Sequence, residues 1–478
     1  MNDLSLLQTQ NYLGGEWIDG NGAALEVRDK FHGNLLSKLN LMNESQLGLV
    51  TAAVNRGFQA LKSWSAGQKS DLLSRLAQDL TSQKEWFARL ITAESGKPLS
   101  YARAETERCI STLNIAAREA LQLTGETIPM DFANGTGKTA FTRLFPIGPV
   151  LGISPFNFPL NLALHKIAPA LAAGCPIVLK PSPYAPLTCL AFAKLCEQAG
   201  CPEGSVNVLQ CDVPFAEKLV REATFKLLSF TGSAATGWYL KSICGTKKII
   251  LELGGNAAAL IDESADVPFA AKALVQGSFL FAGQICISTQ RIYVHENRFD
   301  EFVEQFLLHT SNVAMGDPHL PETVVGPLID RNHLLRVDQW VTDATKQGAT
   351  ILAGGKIADE SHNLYQPTVL TRTTPEMKVV CEEVFGPVVI IESFKNLEAG
   401  IEAVNQSRYG LQASIFTNHL DSMRTATERL EVGAVIVNQI PGFRIDSMPY
   451  GGLKDSGLGR EGLRYAIRDM TEPQLLVF

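Results

Sequence analysis

Gly148-Pro149-Val150-Leu151-Gly152-Ile153-Ser154-Pro155-Phe156-Asn157-Phe158-Pro159 opens the part of the chain that decides the fold. An apolar run of strand length ends here in a polar loop bounded by prolines, and the pattern then repeats. Strands are predicted at 149–154, 176–180, 205–209, 225–230 and 248–253, with helices at about 161–173, 186–199, 214–222 and 233–242 between them. Short apolar runs alternating with helices indicate parallel βαβ units, so residues 148–256 read as a doubly wound α/β sheet. A second alternating series follows outward: helix 267–279, strand 291–295, helix 298–313, strand 387–393, helix 397–407, strand 412–416, helix 420–430 and strand 433–437. Residues 314–386 interrupt it as a long, loop-rich insert. Towards the N-terminus, 44–62 and 68–122 read as helices, and 126–146 as a protruding hairpin broken by Asn134-Gly135-Thr136-Gly137. The tail Glu472–Phe478 reads as an apolar strand, for which a partner subunit is the expected cover because a bare edge invites aggregation.

The chain has 478 residues, enough for two or three domains. Hydrophobic residues make up 45% and charged residues 19%, the balance of a folded soluble protein. A net charge of −7 argues against a nucleic-acid or anionic-membrane surface. Met1-Asn2-Asp3-Leu4 starts no basic-then-apolar leader, and no run reaches the length of a membrane span. Nine dispersed cysteines without CxxC pairs suit a reducing cytoplasm. Eight histidines without paired-ligand spacing predict no metal.

Several loops carry chemistry. Cys286, in Phe281-Ala282-Gly283-Gln284-Ile285-Cys286, lies downstream of Glu252 in Leu251-Glu252-Leu253-Gly254-Gly255-Asn256. A thiol and a carboxylate base together suit covalent catalysis, because only the thiolate attacks well; a lone cysteine is as often a buried structural residue. Thr231-Gly232-Ser233, between a strand and a helix, is either a pyrophosphate cradle at the positive helix end or an ordinary N-cap. Lys180, in Lys180-Pro181-Ser182-Pro183, ends a parallel strand where such sheets bind ligands, to hold an adenine-side ribose or simply to face water. Asn157, between two prolines, offers a fixed amide to an oxyanion, or satisfies its own turn. Of Glu382 and Glu383, one carboxylate suits ribose hydroxyls while Phe385 packs on a flat ring; such acids also sit exposed in loops. The glycine-rich stretch from Pro449 to Glu461 is a flexible surface loop or one that wraps a site.

Taken together, PFNFP, KPS, FTGSxxxG, ELGGN, GQxC, EEVFGP and PYGGxKxSGxGRE resemble the NAD(P)-dependent aldehyde dehydrogenase superfamily, from about residue 10 to the C-terminus. The resemblance implies a Rossmann-type cofactor domain (1–124 and 144–252), an α/β catalytic domain (253–437) and a small β oligomerisation hairpin with its partner elements (125–143 and 463–478). The hairpin would pair with the C-terminal strand of a neighbour in a homodimer or homotetramer. It also implies Cys286 as nucleophile, Glu252 as general base, and Asn157 with the Cys286 N–H as oxyanion hole. NAD or NADP would be held by Ser154, Phe156, Lys180, Ser182, Gly232, Ser233, Leu253, Glu383 and Phe385. Where strictly NAD-using relatives carry a glutamate, this chain has Pro183, so NADP is expected to be accepted.

Residues 438–450 are similar to the branch holding lactaldehyde, phosphonoacetaldehyde and non-phosphorylating glyceraldehyde-3-phosphate dehydrogenases. That likeness places Arg108, Phe158, His165, Ile285 and Arg444 around the substrate and implies a small polar or anionic aldehyde; Arg108 and Arg444 equally suit structural ion pairs. A succinate-semialdehyde-type enzyme, a coenzyme A-acylating relative and a non-enzymatic binding protein are the alternatives. Glu252 speaks against the acylating reading, and the Cys286, Glu252 and Asn157 set against the non-enzymatic one.

Overall fold

The computed structural model describes residues 6–478, so the reading of the first four residues lies outside the described part. Two large sheets and one small one organise it. At the centre of the first sheet, five parallel strands run in the spatial order Val206–Val208, Ile177–Lys180, Val150–Ile153, Leu227–Thr231 and Lys248–Glu252. Chain order thus reverses between Val150–Ile153 and Leu227–Thr231. Such a switch point leaves a crevice beyond the carboxyl ends of the strands, where α/β sheets take ligands. Ser154–Pro159 and Gly232–Ser233 leave from that edge. Antiparallel strands close both sides: Asn11–Leu13 with Glu16–Ile18 on one, and Gly457–Leu458 on the other. The latter hydrogen-bonds Leu251 and Glu252, so the glycine-rich loop is sewn into the sheet beside a candidate catalytic residue.

The second sheet has seven strands, in the order Thr350–Ala353, Thr368–Thr371, Val388–Phe394, Thr289–His295, Ala257–Ile261, Gln412–Phe416 and Ala434–Val437. Two of these fall in the stretch read as a loop-rich insert, which also contains the helix Arg331–Lys346. That expectation was wrong because the strands are only four residues long and surrounded by turns, leaving little periodicity to detect. Ala257–Ile261 also escaped notice, since a fully buried alanine-rich strand carries no alternation.

The third sheet corrects another expectation. Thr471–Val477 pairs antiparallel with Ala140–Pro146 of its own chain, in register from Thr471↔Pro146 to Val477↔Ala140, and Thr127–Ile128 completes the sheet. The apolar tail is therefore covered on one edge intramolecularly. The helix Leu463–Asp469 just before it is no part of this sheet: Leu463 and Ile467 are buried in the core around Leu113 and Leu164. Among the described residues, no helix is long and apolar enough to cross a membrane.

Candidate active site

Cys286 follows an unusual turn. Phe281, Ala282 and Gly283 have φ of +50°, +53° and +69°, a left-handed run that L-residues adopt only under constraint. Gly283 is required there, because a Cβ would lie 2.2 Å from the Gly386 carbonyl oxygen. The Gln284 side chain braces the turn by accepting the Ile329 N–H (3.0 Å) and donating to the Pro327 carbonyl (3.1 Å).

The half-buried Cys286 Sγ lies 3.1 Å from the Tyr450 hydroxyl. Burial pushes the thiol up to about 12, against the pull of the Tyr450 hydrogen bond. Asn157 is fixed as an amide of known orientation. Its Nδ2 donates to the Gln284 carbonyl (3.0 Å) and its Oδ1 accepts the Phe158 N–H (3.1 Å). The predicted oxyanion donor is thus tied directly to the turn that carries the thiol.

Glu252 is buried at the end of its strand, and among the described residues neither carboxylate oxygen has a hydrogen-bond partner. Burial, reinforced by the negative charge of Glu461, raises it well above the usual carboxylate range. Glu461 moves oppositely. Burial alone would raise it, but Lys166, His165 and Arg444 outweigh that and bring it down to about 2. Lys166 Nζ donates to Thr231 Oγ1 (2.7 Å) and lies 3.4 Å from Glu461, and Arg444 donates to Glu461 at 3.0 Å.

Two cavities meet at Cys286. One, of about 300 Å³, is lined by Phe156, Gly232, Ser233, Leu253, Glu383 and Phe385, together with Glu252. The predicted cradle is well formed: Ser233 caps the helix Ala234–Ile243 through the Thr236 N–H. Glu383 Oε1 accepts the Gly255 N–H at 2.9 Å and is pushed up to about 7 by burial. The apolar faces of Phe156 and Phe385 suit a flat ring and Glu383 suits ribose hydroxyls, so these residues fit a nicotinamide nucleotide. Lys180, Ser182 and Ser154, also expected to touch the cofactor, do not line this cavity. Lys180 is mostly buried, which lowers its pKa, and it donates to the Pro181 carbonyl at 3.4 Å. Ser154 Oγ is buried without a partner.

The other cavity, of about 230 Å³, has Phe158, Phe281, Ile285, Ile287 and Ile440 on its walls, with Lys97, Arg108 and Arg444 among them. Each cation is matched. Lys97 is buried against Glu105 with its ammonium 3.4 Å from the Phe158 ring centre. Arg108 pairs with Asp446 at 2.6 Å, and Arg444 with Glu461 while stacking 3.6 Å over Tyr450. Of the residues predicted to meet substrate, His165 alone is off the walls. It is buried and bonded to Asp446 at 2.9 Å, holding that carboxylate rather than a ligand.

Four participants were not singled out from sequence: Tyr450, Glu461, Lys166 and Lys97. The first two stood in the glycine-rich loop. Lys166 had a legible signal, a charge within the otherwise apolar helix Asn161–Ala173.

A profile of the Aldehyde dehydrogenase family matches residues 17–476. The 3-sulfolactaldehyde dehydrogenase of Priestia aryabhattai is 40% identical over 469 residues, covering 98% of this chain and 97% of its own. Aldehyde dehydrogenase 21 of Physcomitrella patens, solved with the reaction product succinate, superposes with a TM-score of 0.94 at 37% identity, covering 98% of each chain. The NADP-dependent glyceraldehyde-3-phosphate dehydrogenase of Bacillus halodurans, solved with NADP, gives 0.95 at 32% identity, covering 98% of this chain and 99% of the other. Similarity over nearly the whole length, together with this fold, makes the chain a member of the aldehyde dehydrogenase family and an NAD(P)-dependent oxidoreductase.

Proposed function

We propose that the enzyme oxidises a small anionic aldehyde to its carboxylic acid through a covalent intermediate on Cys286. The observation that carries this reading is the place of Cys286 on the shared wall of two cavities, one of them apolar but bearing Arg108 and Arg444. In the resting protein the thiol is protonated, so attack requires that its proton be taken. Glu252, lining the cofactor-side cavity, is the base at hand, and its raised pKa makes it a strong one once ionised. As Sγ bonds to the aldehyde carbon, the oxygen gains charge beside the Asn157 amide and the Cys286 N–H, donors already fixed before reaction. When bound, the nicotinamide cofactor accepts the hydride that leaves the thiohemiacetal carbon. After Glu252 has passed the thiol proton to solvent, it takes a proton from water as that water attacks the thioester, and Cys286 leaves as thiolate. A base in this position supports hydrolysis over transfer to coenzyme A.

Arg108 and Arg444 both line the apolar cavity, and the Nε atom of each is buried without a hydrogen-bond partner among the described residues. The relative named for 3-sulfolactaldehyde and the neighbour holding succinate both involve anionic carbon chains, in keeping with this lining. Lys180 and Glu383 as ribose contacts, Ser154 and Ser182 as further cofactor contacts, and the three-part division of the chain belong to the same reading. So do association through the small sheet and a cytoplasmic setting for the unpaired thiols.

The test is a panel of sulfonated, carboxylated and neutral aldehydes with both cofactors. Anionic aldehydes should exceed propanal, and Arg108→Leu should remove about 1.5–3 kcal/mol of that preference, the range for a charged hydrogen bond. Arg108 is the cleaner probe: its partner Asp446 keeps His165, whereas Arg444 and its partner Glu461 both act on the charge of Glu252. NADP should serve within about tenfold of NAD in kcat/KM, a gap of ~1.4 kcal/mol. Equal rates for propanal and the anionic aldehydes would overturn the substrate reading.

A further inference from the structure

A second cluster of chemically capable side chains lies away from Cys286. It sits where the turn after the strand Ala24–Arg28 meets the loop after the helix Phe299–Thr310. Ligand atoms of Asp29, His32 and His319 all lie within 4.8 Å of one another, with Asp317 directly behind. We propose that this seam is a divalent transition-metal site of the zinc class, with Asp29, His32 and His319 as ligands and a fourth position open to solvent.

Of the other histidine–carboxylate pairs, His333–Asp330 and His362–Asp359 at 2.7 Å and His165–Asp446 at 2.9 Å are ordinary hydrogen bonds, while His419–Asp262, 3.8 Å apart, belongs to no three-ligand group among the described residues. Across the seam, His319 Nε2 to Asp29 Oδ2 is 3.4 Å, His32 Nδ1 to Asp29 Oδ1 is 3.5 Å, and His32 Nε2 to Asp317 Oδ2 is 3.4 Å. Metal bonds of about 2.0–2.2 Å in a tetrahedron set neighbouring ligand atoms about 3.4 Å apart. His319 Nε2 and Asp29 Oδ2 have that separation, and each of the three proposed ligands offers an atom within 4.8 Å of the others'.

The orientation of His319 points the same way. Its Nδ1 lies 2.9 Å from Asp317 Oδ1, so Nε2 is the ring atom turned to Asp29 Oδ2, 3.4 Å away. Asp317 stands where a carboxylate usually orients a ligating imidazole. Asp29 is held in advance: Oδ1 accepts the N–H groups of Phe31 (2.9 Å) and His32 (2.7 Å), leaving Oδ2 for His319. His32 is roughly half exposed, which gives an ion a way in.

The ion would be a structural clip. Lys30 N–H donates to the Ala93 carbonyl, and the Pro318 carbonyl accepts the Leu99 N–H at the start of the helix that carries Glu105 and Arg108. Joining the 29–32 turn to the 317–319 loop fixes the entry to that helix from both sides. Histidine spacing predicted no metal because His32 and His319 belong to distant parts of the chain.

The test uses metal-free full-length enzyme with Cys286→Ala, so that the active-site thiol does not compete. Zinc titrated calorimetrically should bind with one equivalent at the seam and raise Tm, since an ion held only by the folded state stabilises it. Cobalt should show the visible bands of a tetrahedral N/O site. The isosteric double variant His32→Gln/His319→Gln, checked for folding by circular dichroism, should lose this equivalent and the Tm shift. Asp317→Asn should weaken binding about 10–100-fold. Undiminished zinc affinity in the double variant would overturn the proposal. So would absence of binding at sub-millimolar zinc, which would leave the seam as an imidazolium–carboxylate contact.

Discussion

Tyr450 places its hydroxyl 3.1 Å from the Cys286 sulfur and its ring under the Arg444 guanidinium, so one side chain couples the thiol to the buried charges behind it. If the hydroxyl donates to sulfur, it favours thiolate, and Tyr450→Phe should raise a thiol pKa already lifted to about 12. Below that pKa the alkylation rate tracks the thiolate fraction and climbs tenfold per pH unit. The variant should give a parallel line displaced downward by roughly tenfold or more, the worth of a hydrogen bond to a charged acceptor. A line displaced upward would show the hydroxyl accepting from the thiol instead, and one that coincides with wild type would show no coupling between the two. Glu252 makes a separate prediction. Burial, with the charge of Glu461, raises its pKa, so its basic form grows over a higher pH range than an ordinary carboxylate's. Glu252→Gln should slow thioester hydrolysis by about 10²–10⁴-fold, the usual worth of a general base. A burst of reduced cofactor followed by a slow steady rate is expected; loss of the burst would mean that Glu252 acts mainly on the thiol.

At the level of elements, the nucleophile turn is held by shape. A Cβ at Gly283 would meet the Gly386 carbonyl oxygen at 2.2 Å, and the left-handed φ adds about 1–2 kcal/mol of strain for any side chain. Gly283→Ala should therefore lower the urea midpoint and reduce kcat far more than it weakens cofactor binding, because the cradle at Gly232 lies on another sheet edge. Unchanged kcat would show that the turn relaxes freely. The regular helices and strands from 148 to 256 were legible because each buries one face or both, and burial writes periodicity into sequence. Ala257–Ile261 was not, because five buried small and aliphatic residues look alike in any conformation. Asn157, Glu252 and Cys286 were legible through the rigid loops around them. The pairing of Arg444 with Glu461 and of Arg108 with Asp446 was not, since only the closed fold sets loop residues against helix residues.

For the molecule as a whole, the small sheet is the exposed member of the architecture. Leu475, Val477 and Phe478 remain solvent-exposed along a strand whose outer edge has no strand partner among the described residues. Deleting residues 471–478 would bare the edge of Ala140–Pro146 as well. On the association proposed above, the truncated protein should assemble no further and aggregate, as read by light scattering after size exclusion; a monodisperse, active product would argue against association through this sheet. The same pairing sets a timetable for synthesis. Ala140–Pro146 leaves the ribosome about 330 residues ahead of its partner strand, which at ~5–20 residues per second is a wait of roughly 17–66 s. For that interval the nascent chain trails a half-made sheet, and the surface that neighbours would grip does not yet exist. The association proposed above can begin only once Thr471–Val477 has emerged, and the waiting strand needs shielding until then.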